Sequence, residues 1–243
     1  MKSDMKTPEI VEIFPIYSCN FICKNCIFSR YKEDRGFVSD KVSLDFEIYQ
    51  KFIRDCTGFK DKINIFIING VGEPLIHPHI VEMVALAKIS KIAERVEITT
   101  NATLLNRKMS DELIKAGLDR LVVSIKGLTS EQYYETSGVE INIKNIIEYL
   151  TYYYKNKRDN QEVYIKISDE VIEYKEDEEK FNKLFGDICD GIVIENNVPY
   201  FTLQLTPDGD IVGGIDYPLG VVGNIYKENV VDIWNNKSGG MYE

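Results

Sequence analysis

Short apolar runs alternate with amphipathic stretches along most of the chain, and this rhythm limits the fold more than any other feature of the sequence. Ile10–Ile16, the unbroken INIFII of Ile63–Ile68, Val96–Thr100, the LVVSI of Leu121–Ile125, Val163–Ile167 and the GIVIE of Gly191–Glu195 read as six strands. Between them, Asp45–Cys56, His79–Lys88, a segment N-capped by Ser110 that ends near Gly117, Ile143–Tyr154 and Glu178–Phe185 read as helices. A strand and a helix recurring about every 30 residues is the spacing of βαβ units. Repeated units of that kind give a parallel α/β sheet. The spacing alone leaves an open doubly wound sheet and a barrel equally available.

The texture changes after about Pro199. Phe201–Leu205, the turn Thr206-Pro207-Asp208-Gly209 and Asp210–Val212 read as a β-hairpin. Proline presets φ in such a turn and glycine accepts a positive one. A short helix around Val230–Trp234 follows. We therefore expect two units, residues 1–198 and a small appendage at 199–243. The densest charge run, Asp169–Lys180, reads as a solvated loop and helix face.

With 44% hydrophobic residues in a chain of 243, a sizeable core can be buried. No apolar run approaches bilayer length. The N-terminal MKSDMKTPEI lacks the apolar stretch of a secretory signal. A net charge of −10 gives no general attraction to phosphate backbones. Neither nucleic acid nor a membrane is an expected partner. The five cysteines are Cys19, Cys23, Cys26, Cys56 and Cys189. Their odd number and the crowding of the first three point to a metal site in a reducing compartment, not a disulfide framework. The expected location is the cytoplasm.

Those first three form C-x3-C-x2-C, directly after the first strand. Three thiolates in one loop can hold three irons of a cubane cluster, whereas such clusters normally take four cysteines. No fourth cysteine lies nearby, so the fourth iron would accept an exogenous ligand. The competing reading is structural zinc, with His77 or His79 completing a tetrahedral Cys3His set.

The sequence resembles the radical S-adenosylmethionine (SAM) superfamily over roughly residues 10–198. Besides the triad, Asn69-Gly70-Val71-Gly72-Glu73-Pro74 is similar to the family's Gly-Gly-Glu-Pro motif, with valine at the first glycine. Thr99-Thr100-Asn101-Ala102-Thr103 is similar to its Thr-Asn-Gly segment, and Ser124-Ile125-Lys126-Gly127 to its Ser-(Ile/Leu)-Asp-Gly segment. All four pieces follow successive predicted strands at their C-terminal ends, where α/β barrels keep their active sites. The resemblance implies a partial (β/α)6 barrel with a small C-terminal β-hairpin and helix. It implies one [4Fe–4S] cluster on Cys19, Cys23 and Cys26, with SAM chelating the open iron. Backbone groups and the acid of Gly72, Glu73 and Pro74 would hold the SAM amino group, with further contacts from Asn101 and Ser124. The implied chemistry is reductive cleavage of SAM to a 5′-deoxyadenosyl radical that abstracts hydrogen from the substrate. An external electron donor such as flavodoxin or ferredoxin is implied with it.

Residues 202–235 resemble the SPASM or twitch appendage of such enzymes, whose cysteines bind auxiliary clusters. This chain has no cysteine after Cys189, and Val212-Gly213-Gly214 stands where one is expected. The appendage is therefore expected without a cluster, which favours redox-neutral outcomes such as epimerisation or rearrangement. The substrate class is a small molecule, such as a sugar, or a peptide. Cys56 and Cys189 are the spare thiols and candidate hydrogen donors, although both also fit core packing. Lys126 stands where the family has aspartate. It is a candidate substrate contact or a partner for a neighbouring acid. Asn25 stands where many relatives have an aromatic residue. Tyr152-Tyr153-Tyr154 reads as core and rim.

Overall fold

The computed structural model describes residues 7–24, 26–27, 34–35, 39–167, 171–172, 174–194, 202–214 and 220–238. Strand β1 (Ile10–Ile13) leads through the cysteine loop to helix α1 (Phe46–Cys56). Then come β2 (Ile63–Ile68), α2 (Ile80–Ser90), β3 (Ala93–Thr100), α3 (Arg107–Ala116) and β4 (Arg120–Ile125). Two helices, α4 (Ser130–Ser137) and α5 (Ile143–Asn156), precede β5 (Glu162–Ile167), and α6 (Lys175–Phe185) precedes β6 (Gly191–Ile194). Strands β1 to β6 lie side by side in sequence order and all pair in parallel. This is a partial (β/α)6 barrel, which settles the choice the spacing left open.

The alternation of side chains along each strand separates two environments. Val11, Ile13, Phe66, Ile98, Leu121, Val123, Val163 and Ile165 are buried to 1% exposure or less and pack in one apolar cluster with the helices. Helix α1 contributes Tyr49, Phe52 and Ile53 to that cluster, and α5 contributes Ile146, Leu150 and Tyr153. The alternate residues Glu12, Glu97, Arg120, Ser124, Glu162, Tyr164 and Lys166 face the other way, so the inner wall is largely polar.

At the end where the strands begin, that wall is closed by matched charges. Arg120 bonds Glu162 at 2.7 Å and lies 3.3 Å from Glu97, which Arg95 also engages. The Arg120 guanidinium stacks 4.0 Å from the centre of the Tyr164 ring. Asp119 and Asp190, each just before a strand, accept the backbone N–H of Val96 and Val163 in the neighbouring strand, both at 2.7 Å. Each aspartate also has a lysine, Lys88 at 2.6 Å and Lys157 at 3.3 Å.

Strand β7 (Thr202–Leu205) pairs in parallel with β1, with Glu12 beside Gln204. Strands β8 (Asp210–Gly214) and β9 (Val221–Asn224) continue antiparallel beyond it, making one nine-stranded sheet. Helix α7 (Val230–Ser238) then packs on α1 and buries Val231, Ile233 and Trp234. The expected hairpin is present. The boundary expected at residue 198 lies outside the described residues, as do Asn25 and part of the Asp169–Lys180 run.

Some expectations need correction. Ser110 does not cap α3. Asn106 does, accepting the N–H of Met109 at 3.0 Å, while Ser110 is buried one turn inside the helix and donates to the Asn106 carbonyl. Both residue types cap well, and the register of the apolar face selects the earlier one. Helix α4 and strand β9 were not expected. Among the described residues no helix is long and apolar enough to cross a membrane.

Candidate active site

The cysteine loop emerges from β1 at the mouth of the barrel and is held from three sides. From the β2 loop, the Glu73 N–H donates to the Ser18 carbonyl at 2.9 Å. From the β3 loop, the Asn101 side-chain amide donates to Asn20 Oδ1 at 2.9 Å and lies 4.0 Å from Cys19 Sγ. From the end of α4, the Ser137 carbonyl accepts from Ile22 N at 2.8 Å and the Thr136 carbonyl from Lys24 N at 3.2 Å. Two glycines permit this closeness. At Gly72 (φ 150°) a Cβ would lie 2.0 Å from the Ile16 carbonyl oxygen, and at Gly138 (φ 70°) it would lie 3.1 Å from that of Ile22. Gly138 also ends α4 in the left-handed conformation that glycine adopts without strain.

Glu73 braces this arrangement. It is 1% exposed, and its carboxylate accepts from Leu75 N at 3.0 Å, Thr100 Oγ1 at 2.6 Å and Asn101 N at 2.8 Å. Burial pushes its carboxyl pKa up, opposed by those donors. Its oxygens join the β2 and β3 loops, Oε1 through Leu75 N and Thr100 Oγ1 and Oε2 through Asn101 N. Pro74 opens the short turn that follows and is buried. Asn101 is 4% exposed, and its side-chain oxygen accepts from Thr103 N and Thr103 Oγ1, at 3.0 and 2.6 Å. It therefore acts on the cysteine loop directly. Ser124 lies on the inner wall near the mouth, half-buried.

Cys19, Cys23 and Cys26 form no disulfide, and each is half-buried. Burial pushes the Cys19 thiol up, partly offset by the Phe21 N–H that reaches its sulfur at 3.4 Å. Burial raises Cys23 as well, and the Lys126 ammonium opposes that rise. Lys126, just past β4, is thus brought to the same rim as the cysteines. A shallow cavity of about 320 Å³ lies outside the loop, lined by Ile22, Lys24, Tyr134, Glu135 and Gly138.

A soft, all-thiolate donor set with backbone N–H groups aimed at sulfur suits an iron–sulfur cluster. Among the described residues, no three histidine, cysteine or acidic side chains converge on a single-ion site. Cubane ligands sit on separate irons and need no such convergence. Zinc would need a fourth ligand, and the histidines are committed elsewhere. His77 is 2% exposed, its Nε2 bonded to the Leu44 carbonyl at 3.0 Å and its Nδ1 accepting from His79 N at 3.2 Å. His79 stacks on Phe46 with ring centres 5.0 Å apart.

The remaining candidates fall elsewhere. Cys56 ends α1 at 3% exposure inside the helix-facing core, where burial raises its thiol strongly. Cys189 precedes β6, at the end of the barrel opposite the mouth. Neither thiol lies where a substrate radical could meet it, which removes the structural ground for both as hydrogen donors. Sequence reasoning gave Asn20 and Thr103 no role of their own and missed the α4 terminus. Asn20 donates to Thr103 Oγ1 at 2.7 Å across 83 residues, a pairing no local pattern announces.

The family model described as "Radical SAM superfamily" matches residues 13–180. A relative from Pyrococcus furiosus, "Tungsten-containing aldehyde ferredoxin oxidoreductase cofactor-modifying protein", is 26% identical over 86% of this chain and 56% of its own length. A "GTP 3',8-cyclase" from Chlorobaculum tepidum is 34% identical over 53% of this chain and 36% of its own. The chain thus spans about half or less of these relatives. Among solved structures, BtrN in complex with AdoMet and 2-DOIA matches with a TM-score of 0.61, 18% identity, and coverage of 98% of this chain and 86% of that one. Native anSMEcpe with bound AdoMet matches with a TM-score of 0.67, 14% identity, and coverage of 96% and 82%. At such identities the likeness establishes the fold.

Proposed function

Because the chain belongs to the radical SAM superfamily, we propose that it is an enzyme that binds one [4Fe–4S] cluster on Cys19, Cys23 and Cys26 and cleaves SAM reductively. The observation that carries this reading is the three-thiol loop fastened at the barrel mouth by Glu73, Asn101 and α4. When bound, the cluster supplies the electron that splits SAM, and the resulting radical abstracts hydrogen from the substrate.

The chain's own residues bind and orient. Glu73 fixes the β2 and β3 loops relative to each other, and Asn101 fixes Cys19 and Asn20 against β3. The backbone at Gly72 and the hydroxyl of Ser124 are the SAM contacts we assign. Lys126 keeps a cation beside Cys23 at the rim. We assign residues 1–198 to the barrel unit and 199–243 to an appendage in which no cysteine stands. That lack favours a redox-neutral outcome, an epimerisation or rearrangement. A small polar substrate is favoured by the charged and hydroxylated inner wall. One solved likeness holds 2-DOIA and another a peptide, so both classes belong in a screen. A small external electron carrier completes the scheme.

The test is electron paramagnetic resonance on anaerobically reconstituted, dithionite-reduced protein, with and without SAM. A cluster signal that shifts on adding SAM, with 5′-deoxyadenosine formed, is the expected result. Zinc without labile sulfide would overturn it.

A further inference from the structure

Glu12 is the exception on the inner wall. Strand alternation turns it inward, between Val11 and Ile13, which are fully buried against the helices. The other inward carboxylates of that wall are matched: Glu97 by Arg95 and Arg120, and Glu162 by Arg120. Among the described residues, Glu12 has no cation within ion-pair distance. Its contacts are two neutral amides, Gln204 Nε2 at 2.7 Å and Asn69 Nδ2 at 3.5 Å. Asn69 holds that orientation at a cost, because its own Oδ1 is buried without a donor.

The location is functional. Asn69 ends β2 immediately before the Gly70–Pro74 loop, and its backbone N–H bonds the Ile13 carbonyl at 3.0 Å. Glu12 therefore sits just below the mouth, on the strand that leads into the cysteine loop. It is half-buried rather than sealed. A half-buried carboxylate attracts an arriving cation, and the two amides orient it without neutralising it.

Building on the function proposed above, we propose that Glu12 binds a primary ammonium group of the substrate, which makes the substrate an amine-bearing polar molecule. Gln204, from a strand of the C-terminal extension, holds one carboxylate oxygen, and Asn69 the other. The extension thereby contributes to substrate choice. The amine belongs either to a small aminated sugar or cyclitol or to a lysine side chain of a peptide.

The experiment is calorimetric titration of the reconstituted full chain with SAM present, using matched probes. One pair is D-glucosamine against D-glucose, and the other is N-acetyl-lysine amide against N-acetyl-norleucine amide. The amine member of one pair is expected to bind wild type about tenfold tighter than its twin, equal to roughly 1.4 kcal/mol. The pair that responds identifies the source of the amine. Glu12→Gln is expected to erase the preference while the SAM-induced shift of the cluster signal stays as in wild type. No amine preference in either pair, or a preference that survives Glu12→Gln, overturns the proposal. If Glu12→Gln fails to fold, Glu12→Asp decides: it draws the charge back by one methylene, so the amine probe should weaken several-fold with its neutral twin unmoved, and an unchanged amine affinity overturns the proposal. A wild-type cluster signal unmoved by SAM has a different meaning, since it overturns the function reading and this proposal with it.

Discussion

The two ends of the barrel are built on opposite rules. Where the strands begin, Arg95, Glu97, Arg120 and Glu162 match one another, and Asp119 and Asp190 each satisfy a strand N–H and a lysine. Where the strands end, three half-buried thiols crowd together, Asn69 leaves an oxygen unsatisfied, and Glu12 has no cation among the described residues. The first end spends its polar groups on one another, whereas the second keeps them for something that arrives. A barrel divides stability from chemistry in this way, and the division can be broken experimentally at each end.

The largest effect belongs to the mouth. Cys19→Ala is expected to reduce SAM cleavage to background, read as 5′-deoxyadenosine after reduction. The melting temperature of the metal-free protein should barely move, since a half-buried thiol contributes little to folding, under about 1 kcal/mol. Activity near the wild-type level would break the comparison.

Next comes the floor, with the opposite signature. Arg120→Ala removes the shared partner of Glu97 and Glu162, at side-chain exposures of 16, 8 and 41%. Glu97 keeps Arg95, so what is lost is the charged hydrogen bonding to Glu162 and one of the two cations beside Glu97, about 2 kcal/mol. Denaturant unfolding should show that loss, while the SAM-induced shift of the cluster signal persists at permissive temperature. A variant with wild-type stability would show that the floor is not what holds the barrel closed.

Asn101→Ala tests the join between scaffold and site. Asn101 touches Cys19 and Asn20 but is no ligand itself. Groups that orient metal ligands are typically worth about 10- to 100-fold in affinity. The variant should lose iron to a chelator correspondingly faster, with an intact fold by circular dichroism.

The legibility of this molecule follows the same division. The rhythm of apolar strands and helices was readable because burial on one face repeats locally, as in Ile63–Ile68 and Leu121–Ile125. The cysteine triad was readable because its ligands are neighbours in sequence. What stayed hidden is non-local. Gln204 meets Glu12 across 192 residues, and Arg120 meets Glu162 across 42. The helix Ser130–Ser137 has a polar sequence and only Tyr133 and Ser137 buried, so its periodicity was too faint to find. Glu73 was recognised as part of a motif, but its role as a brace depends on Thr100 and Asn101, which only folding brings within reach.

The smallest effect concerns pH, and it lies at neither end. His77 is sealed beside the mouth, and burial lowers its pKa below the usual 6.5, with the Leu44 carbonyl opposing the shift. In the unfolded chain the imidazole takes up a proton near pH 6.5, whereas in the folded chain it does so only at lower pH. The unfolded state therefore binds more protons below about pH 6.5, so stability falls as pH drops from there toward the depressed folded value. The melting temperature should decline over that window, and His77→Gln should flatten the decline even if it lowers stability at pH 8. A decline of the same steepness in the variant would assign the acid sensitivity to other groups. It would also leave His77 as a packing residue whose charge state the fold ignores.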